Sequence, residues 1–201
     1  ARGRASEAEE SLKKALALDT DGRRARVFLK GIYDLSGRGG DSEKIVDWFW
    51  EFNNAQIQRA GKLEAEDYRY VAEAVKGHDT ESKKVAFRHF MRAYRADPDL
   101  HEAYLGAGDL AIEVHDWMRA ERSFRALLDR NPRHPLGHLG LALVNLAASN
   151  MKEAEEAARK ALGVNPRLAG AHLVLAQLHL VDDRMAEARK EIDAALETNP
   201  V

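Results

Sequence analysis

Between Asp67 and Val201 apolar side chains return at the three- and four-residue spacing of a single helix face, and the whole arrangement returns every 34 residues. Taking Asp67, His101, Pro135 and Ala169 as first residues of four units, the eighth place reads Ala74, Gly108, Ala142, Ala176. The twentieth reads Ala86, Ala120, Ala154, Ala188, the twenty-fourth Phe90, Phe124, Ala158, Ile192, and the thirty-second Pro98, Pro132, Pro166, Pro200. Small residues at fixed places are what two helices need where they cross closely, and the phenylalanines are large enough to fill the space between hairpins. Asp97-Pro98, Asn131-Pro132, Asn165-Pro166 and Asn199-Pro200 close each unit, because a ring without an N–H cannot continue a helix. A unit of this length predicts a helical hairpin that buries its apolar face only by stacking on copies of itself.

Upstream the pattern returns once and then breaks. Residues 7–18, with Ala8, Leu12, Ala15 and Leu16 on one stripe, predict a second helix without its first, with Thr20 at the proline place. From Thr20 to Pro98 is 78 residues, two periods plus ten, so an irregular unit between about Arg23 and Glu66 is expected to carry an insertion. Ala25, Phe28, Leu29, Ile32 and Leu35 predict its first helix, Ser36 to Asp41 a flexible loop with Asp41 or Ser42 as N-cap, and a second helix runs from about Glu43 into the fifties. In that helix Ile45, Trp48, Phe49 and Phe52 suffice for a hairpin core. Val46, Trp50 and Ile57 then lie on another face, which makes Trp50 a candidate partner contact unless it packs on the inserted segment. The domain reading is therefore residues 1–66 as a half repeat plus an irregular hairpin, and 67–201 as four repeats (67–100, 101–134, 135–168, 169–201), in one continuous solenoid. The chain starts in mid-repeat and stops one residue after Pro200, so Ile192, Ala195 and Leu196 are expected to be partly uncovered. An excised piece of a longer protein, or ends that pair with another copy, would account for that.

An aromatic near the fourth place, small residues at the eighth and twentieth and a proline at the thirty-second resemble the tetratricopeptide repeat. Residues 101–134 are the best copy, with Tyr104, Gly108, Trp117, Ala120, Phe124 and Pro132 in place; His138 and His172 replace the fourth-place aromatic in the next two, and Glu73 and Gly77 weaken the unit from Asp67. The resemblance implies an all-α, right-handed superhelical solenoid of antiparallel helix pairs. It also implies a concave groove lined by first-helix places two, five, nine, twelve and thirteen. In this sequence the groove candidates are Tyr68, Val71 and Val75, then Glu102, Leu105 and Asp109, then Leu139, Leu143 and Leu146, then Leu173 and Gln177, with Leu136 and Leu180 at further such places. The implied function is a non-catalytic protein-interaction scaffold that binds a peptide or helix. The alternative is a regulatory or substrate-positioning arm of a larger enzyme, since some longer bacterial repeat proteins carry a zinc-peptidase domain after the array. Places five and nine offer no lysine or arginine, so the chaperone-tail carboxylate clamp of one subset of the family is not expected.

Charge and chemistry narrow this further. With 31 Lys+Arg against 33 Asp+Glu, the net charge of −2 provides no basic field for nucleic acid, and no run approaches the roughly 18 apolar residues of a membrane span. The absence of cysteine removes disulfides and thiolate zinc ligands but does not separate cytoplasm from periplasm. His134 and His138 are split by the helix-starting Pro135, and His172 and His179 stand two turns apart, so no metal site is expected. Gly37-Arg38-Gly39-Gly40 lacks the lysine and hydroxyl of a phosphate loop. Glu9, Glu10, Glu187 and Glu191 are expected to be surface charges, no catalytic constellation is discernible, and no cofactor is implied.

Overall fold

The computed structural model describes residues 2–198; Ala1, Asn199, Pro200 and Val201, and with them the last member of the proline series, lie outside the described residues. Within them the chain is all-α, with eleven helices: α1 (Arg2–Leu18), α2 (Arg23–Leu35), α3 (Gly39–Ala60), α4 (Ala65–Val75), α5 (Thr80–Ala96), α6 (His101–Glu113), α7 (Trp117–Arg130), α8 (Pro135–Ala147), α9 (Met151–Val164), α10 (Ala169–Val181) and α11 (Met185–Thr198). Residues up to Leu100 form one compact unit, and those from His101 form a second.

In the second unit α6/α7, α8/α9 and α10/α11 are antiparallel hairpins. The second helix of one packs on the first helix of the next, and α6, α8 and α10 lie side by side. The alanine series sits at the crossings: Ala120 and Ala154 have no exposed surface and Ala188 almost none. Phe124, itself buried, is wedged between two glycines of neighbouring first helices. A Cβ on Gly108 of α6 would lie 2.5 Å from its ring, and one on Gly140 of α8 2.4 Å from it. In the following hairpin the phenylalanine place is Ala158, and Val174, Leu175 and Leu178 of α10 fill the space around Ala142, Ala154 and Ala157. Ile192 and Leu196 are exposed as expected, but Ala195 is buried, because it falls seven residues after Ala188 on the same helix face.

The turns are built from repeated chemistry. Asn131 Oδ1 accepts from the Arg133 N–H and its carbonyl from the His134 N–H; Asn165 does the same for Arg167 and Leu168, and in the first unit Asp97 for Asp99 and Leu100. Within each hairpin of the second unit the reversal is a left-handed residue at place fifteen, His115, Ser149 or Asp183, with φ of 56°, 61° and 55°. The following N–H reaches back five residues to close a Schellman-type end: Asp116 to Ala111, Asn150 to Asn145, Arg184 to His179. None of the three is glycine, so each carries left-handed strain.

The first unit is less regular. α4 and α5 form a hairpin, and α2, α3 and α5 all touch α4. The extra length relative to the repeats appears in α3, which has 22 residues where α7, α9 and α11 have 14. Its stripe is the expected one, with Phe49 fully buried and Ile45 nearly so. Two expectations fail here. The stretch from Ser36 to Asp41 is not a flexible loop, since α3 begins at Gly39, and neither Asp41 nor Ser42 is the N-cap. The cause is Arg38, whose guanidinium grips both oxygens of Glu9 on α1 at 2.8 and 2.9 Å, donates to Asp41 at 2.7 and 2.9 Å, and covers the Tyr33 ring. Glu9 is thus a partly buried link rather than a solvated surface charge. Ser42 is also buried and donates to Asp34, which pairs with Lys30 of α2 at 2.7 Å.

Two substitutions test this packing in opposite directions. Gly140→Ala forces a methyl into the Phe124 ring and is expected to cost about 1–3 kcal/mol in urea unfolding. Ser149→Gly relieves a left-handed, exposed residue and is expected to add about 0.5–1 kcal/mol, a rise in Tm of roughly 2 °C.

Candidate functional site

The first helices of the second unit form one face. Along it Leu136 and Leu143 of α8 and Leu173 and Leu180 of α10 are 41%, 36%, 52% and 45% exposed, high values for leucine in a packed array. The helix period explains them: these positions turn away from Ala142, Val174 and Leu175, which are spent on the core. Glu102, Asp109 and Gln177 are exposed on the same helices, and Leu105 is half-buried. Leu139 and Leu146 are half-buried and pack against the core, with Leu139 lying so close to α10 that a Cβ on Gly170 would fall 2.8 Å from it. They support the face from beneath.

The groove candidates of the first unit fare differently. Val71 has no exposed surface and Val75 is buried, so neither can meet a partner. The reading carried over from a regular repeat fails because α2, α3 and α5 all pack on α4, leaving it little free face. Tyr68 stays half-buried and meets Trp50 over a residue the sequence reading passed by. The His89 imidazole of α5 is 8% exposed, with the Trp50 ring 5.8 Å away and the Tyr68 ring 6.1 Å away. Trp50 therefore packs on α5 rather than on an inserted segment, and keeps 39% of its surface exposed. A signal did exist, since His89 precedes Phe90 at place twenty-three, where Ser123 and Ala157 are also buried.

The histidines show how the fold uses imidazole. Burial, with Arg92 and Arg88 nearby, pushes His89 down to about 4, so it is neutral at ordinary pH. His134 caps α8, its Nδ1 accepting from the Gly137 N–H at 3.4 Å, and burial followed by the His101 charge lowers its pKa. His138 and His172 do more than replace an aromatic. Their Nε2 atoms lie 2.9 and 3.0 Å from the carbonyls of Pro132 and Pro166, so each ties a first helix to the turn before it. His172 also has Nδ1 2.6 Å from the Glu191 carboxylate of α11. Glu191 is a part-buried partner, not the free surface charge its sequence context suggested. A ring flanked by two acceptors donates at both nitrogens only as imidazolium. Although burial opposes the charge, the Glu191 and Pro166 contacts prevail and raise the pKa.

An array of antiparallel helix pairs with an exposed leucine row on its first helices is the anatomy of a helical repeat protein. The tetratricopeptide repeat family model matches residues 105–166 and again 152–201, so the repeats of the second unit are tetratricopeptide repeats. No curated protein matches the sequence. Among solved structures, a MamA from Desulfovibrio magneticus RS-1 aligns with a TM-score of 0.62 at 17% identity, covering 86% of this chain and 94% of that one. A tetratricopeptide repeat protein from Parabacteroides merdae ATCC 43184 aligns with a TM-score of 0.64 at 20% identity, over 100% of this chain and 75% of that one. YrrB, described as a repeat protein with an unusual peptide-binding site, aligns at 0.57 and 13% identity over 96% and 94%. At such identities the likeness shows the fold, a solenoid of helix pairs. No described helix is long and apolar enough to cross a membrane.

The His172 pair makes a pH prediction. A raised folded-state pKa contributes stability that is fully present below the unfolded value of roughly 6.5 and is lost as pH rises through the folded value. His89 and His134, both lowered, act oppositely and lose theirs on the acid side. Thermal melts are expected to show Tm falling as the solution is made alkaline from about pH 6, and that fall should disappear in His172→Phe while the acid-side loss remains.

Proposed function

We propose that the chain is a non-catalytic protein-interaction scaffold whose α6/α8/α10 face receives a peptide or helix from a partner. The observation that carries this reading is the leucine row, exposed although it stands on tightly packed helices. Full burial of a leucine is worth about 1.5–3 kcal/mol, so covering the exposed half of four gives roughly 3–6 kcal/mol. Association costs are of similar size, so the row alone yields weak binding, and a tight ligand has to run across all three helices. The likeness to YrrB, named for a peptide-binding site, is in keeping with this. Leu105, Asp109 and Gln177 would frame such contacts, while Trp50 and Tyr68, each against the His89 ring, offer a second contact on the first unit. In a larger enzyme the same face would act as a substrate-positioning arm.

Pull-down from the native host identifies the partner, and Leu143→Glu is expected to weaken its capture at least about tenfold with helicity unchanged, since it sets a charge in the apolar row. A peptide recognised through its C-terminal carboxylate is expected to give no heat in calorimetry. Micromolar affinity for one would overturn the assignment of the face.

A further inference from the structure

The first unit carries an exposed apolar track of its own. On α3, Trp50 and Ile57 stand two turns apart on one helix face and are 39% and 47% exposed. Trp50 and Tyr68 of α4 both lean on the His89 ring of α5, whose buried Nδ1 has no hydrogen-bond partner. Trp50 is thus the point where the apolar track of α3 meets α5.

At that point the potential is positive. Arg88 and Arg92 of α5 are exposed and one turn apart, and theirs are the charges the His89 ring feels, with no carboxylate to offset them. Neither has an ion-pair partner among the described residues. The carboxylates of the surrounding helices are engaged elsewhere. On α5, Glu81 pairs with Lys84 at 2.7 Å; on α4, Glu66 and Glu73 pair with Arg69 at 2.6 Å, and Asp67 pairs with Arg23. On α3, Glu43 and Asp47 stand toward the start of the helix, and Glu51 lies about 100° round it from Trp50. From Asn53 to Ala60 that helix has no carboxylate, while Arg59 is exposed there.

We infer that this surface docks an acidic amphipathic protein segment, whose large apolar side chains cover Trp50 and Ile57 and whose carboxylates pair with Arg88 and Arg92. This rests on the chain being an interaction scaffold, but not on the leucine row of the second unit. A carboxylate set down beside Trp50 gains two guanidiniums with forked donors, whereas a ligand ammonium meets like charge. Covering the apolar track supplies affinity that exposed ion pairs alone do not. A nucleic-acid strand fits less well, since two guanidiniums neutralise few phosphates and Ile57 offers no ring on which a base can stack.

The test uses the whole chain and three labelled synthetic helical peptides with identical leucine spacing and glutamate, glutamine or lysine at the polar positions, followed by fluorescence anisotropy. The glutamate peptide is expected to bind at least about tenfold tighter than the lysine one. That gap should shrink between about 50 and about 200 mM salt. Arg88→Glu combined with Arg92→Glu closes or reverses it, and the milder Arg88→Gln with Arg92→Gln narrows it at unchanged helicity. Trp50→Ala weakens all three peptides, whereas Leu143→Glu leaves glutamate-peptide binding within about twofold. Equal binding of the glutamate and lysine peptides overturns the inference. Binding lost in Leu143→Glu but kept in Trp50→Ala belongs to the leucine row, which overturns the inference and leaves that row standing. A labelled oligouridylate that binds more tightly than the glutamate peptide, and is released by the arginine variants, makes the patch a nucleic-acid site and overturns it too. So does the failure of all three peptides to bind.

Discussion

Everything in the second unit depends on how closely its helices approach. The hairpins nest because side chains at their crossings are hydrogen or methyl, and a single phenylalanine is gripped between two glycines of neighbouring first helices. Close-packed interiors leave no slack for a larger group at such a point, so the crossings set the spacing of α6, α8 and α10. That spacing turns positions scattered between His101 and Val181 into one continuous surface. Because the crossings consume the alanines, glycines and inward leucines, the remaining leucines of α8 and α10 are left facing out.

The connections keep that surface in register. The three described Asx-Pro turns satisfy their own backbone, and in two repeats a histidine on the next helix returns to the proline carbonyl. Substituting imidazole for the usual aromatic thus exchanges a ring contact for a directional bond, and in the last hairpin adds an ion pair to α11. The charged residues of the second helices stay in the other layer, where i,i+4 pairs such as Arg125 with Glu121 and Arg159 with Glu155 keep them in water. The first helices are left without lysine or arginine.

Much of this was legible in the chain because repetition amplifies a weak signal: four alanines at one place argue for a crossing as one could not. What the sequence reading missed is mostly what does not repeat as a residue type. Gly140 is the exception: place six is small in three units, Ala72, Gly106 and Gly140, a recurrence beside places eight and twenty that marks one jaw of the grip on Phe124. The left-handed residues at place fifteen escaped because histidine, serine and aspartate do not announce positive φ as glycine does. Glycine-rich residues 37–40 suggested a loop, but Arg38 joins α1 and α3 across them and allows the helix to start early. Val71 and Val75 were assigned to a groove by analogy with a regular repeat, and the irregular packing on α4 withdrew them. His89 was hidden by being single, although its burial under Trp50 and Tyr68 follows from its place in the period.

The most direct measurement of the central claim is backbone amide hydrogen exchange on the chain with and without its captured partner. Added protection is expected along α6, α8 and α10, strongest around Leu143 and Leu173, with α7, α9 and α11 unchanged on their outer faces. Protection confined to the second helices, or to α11 alone, would contradict it.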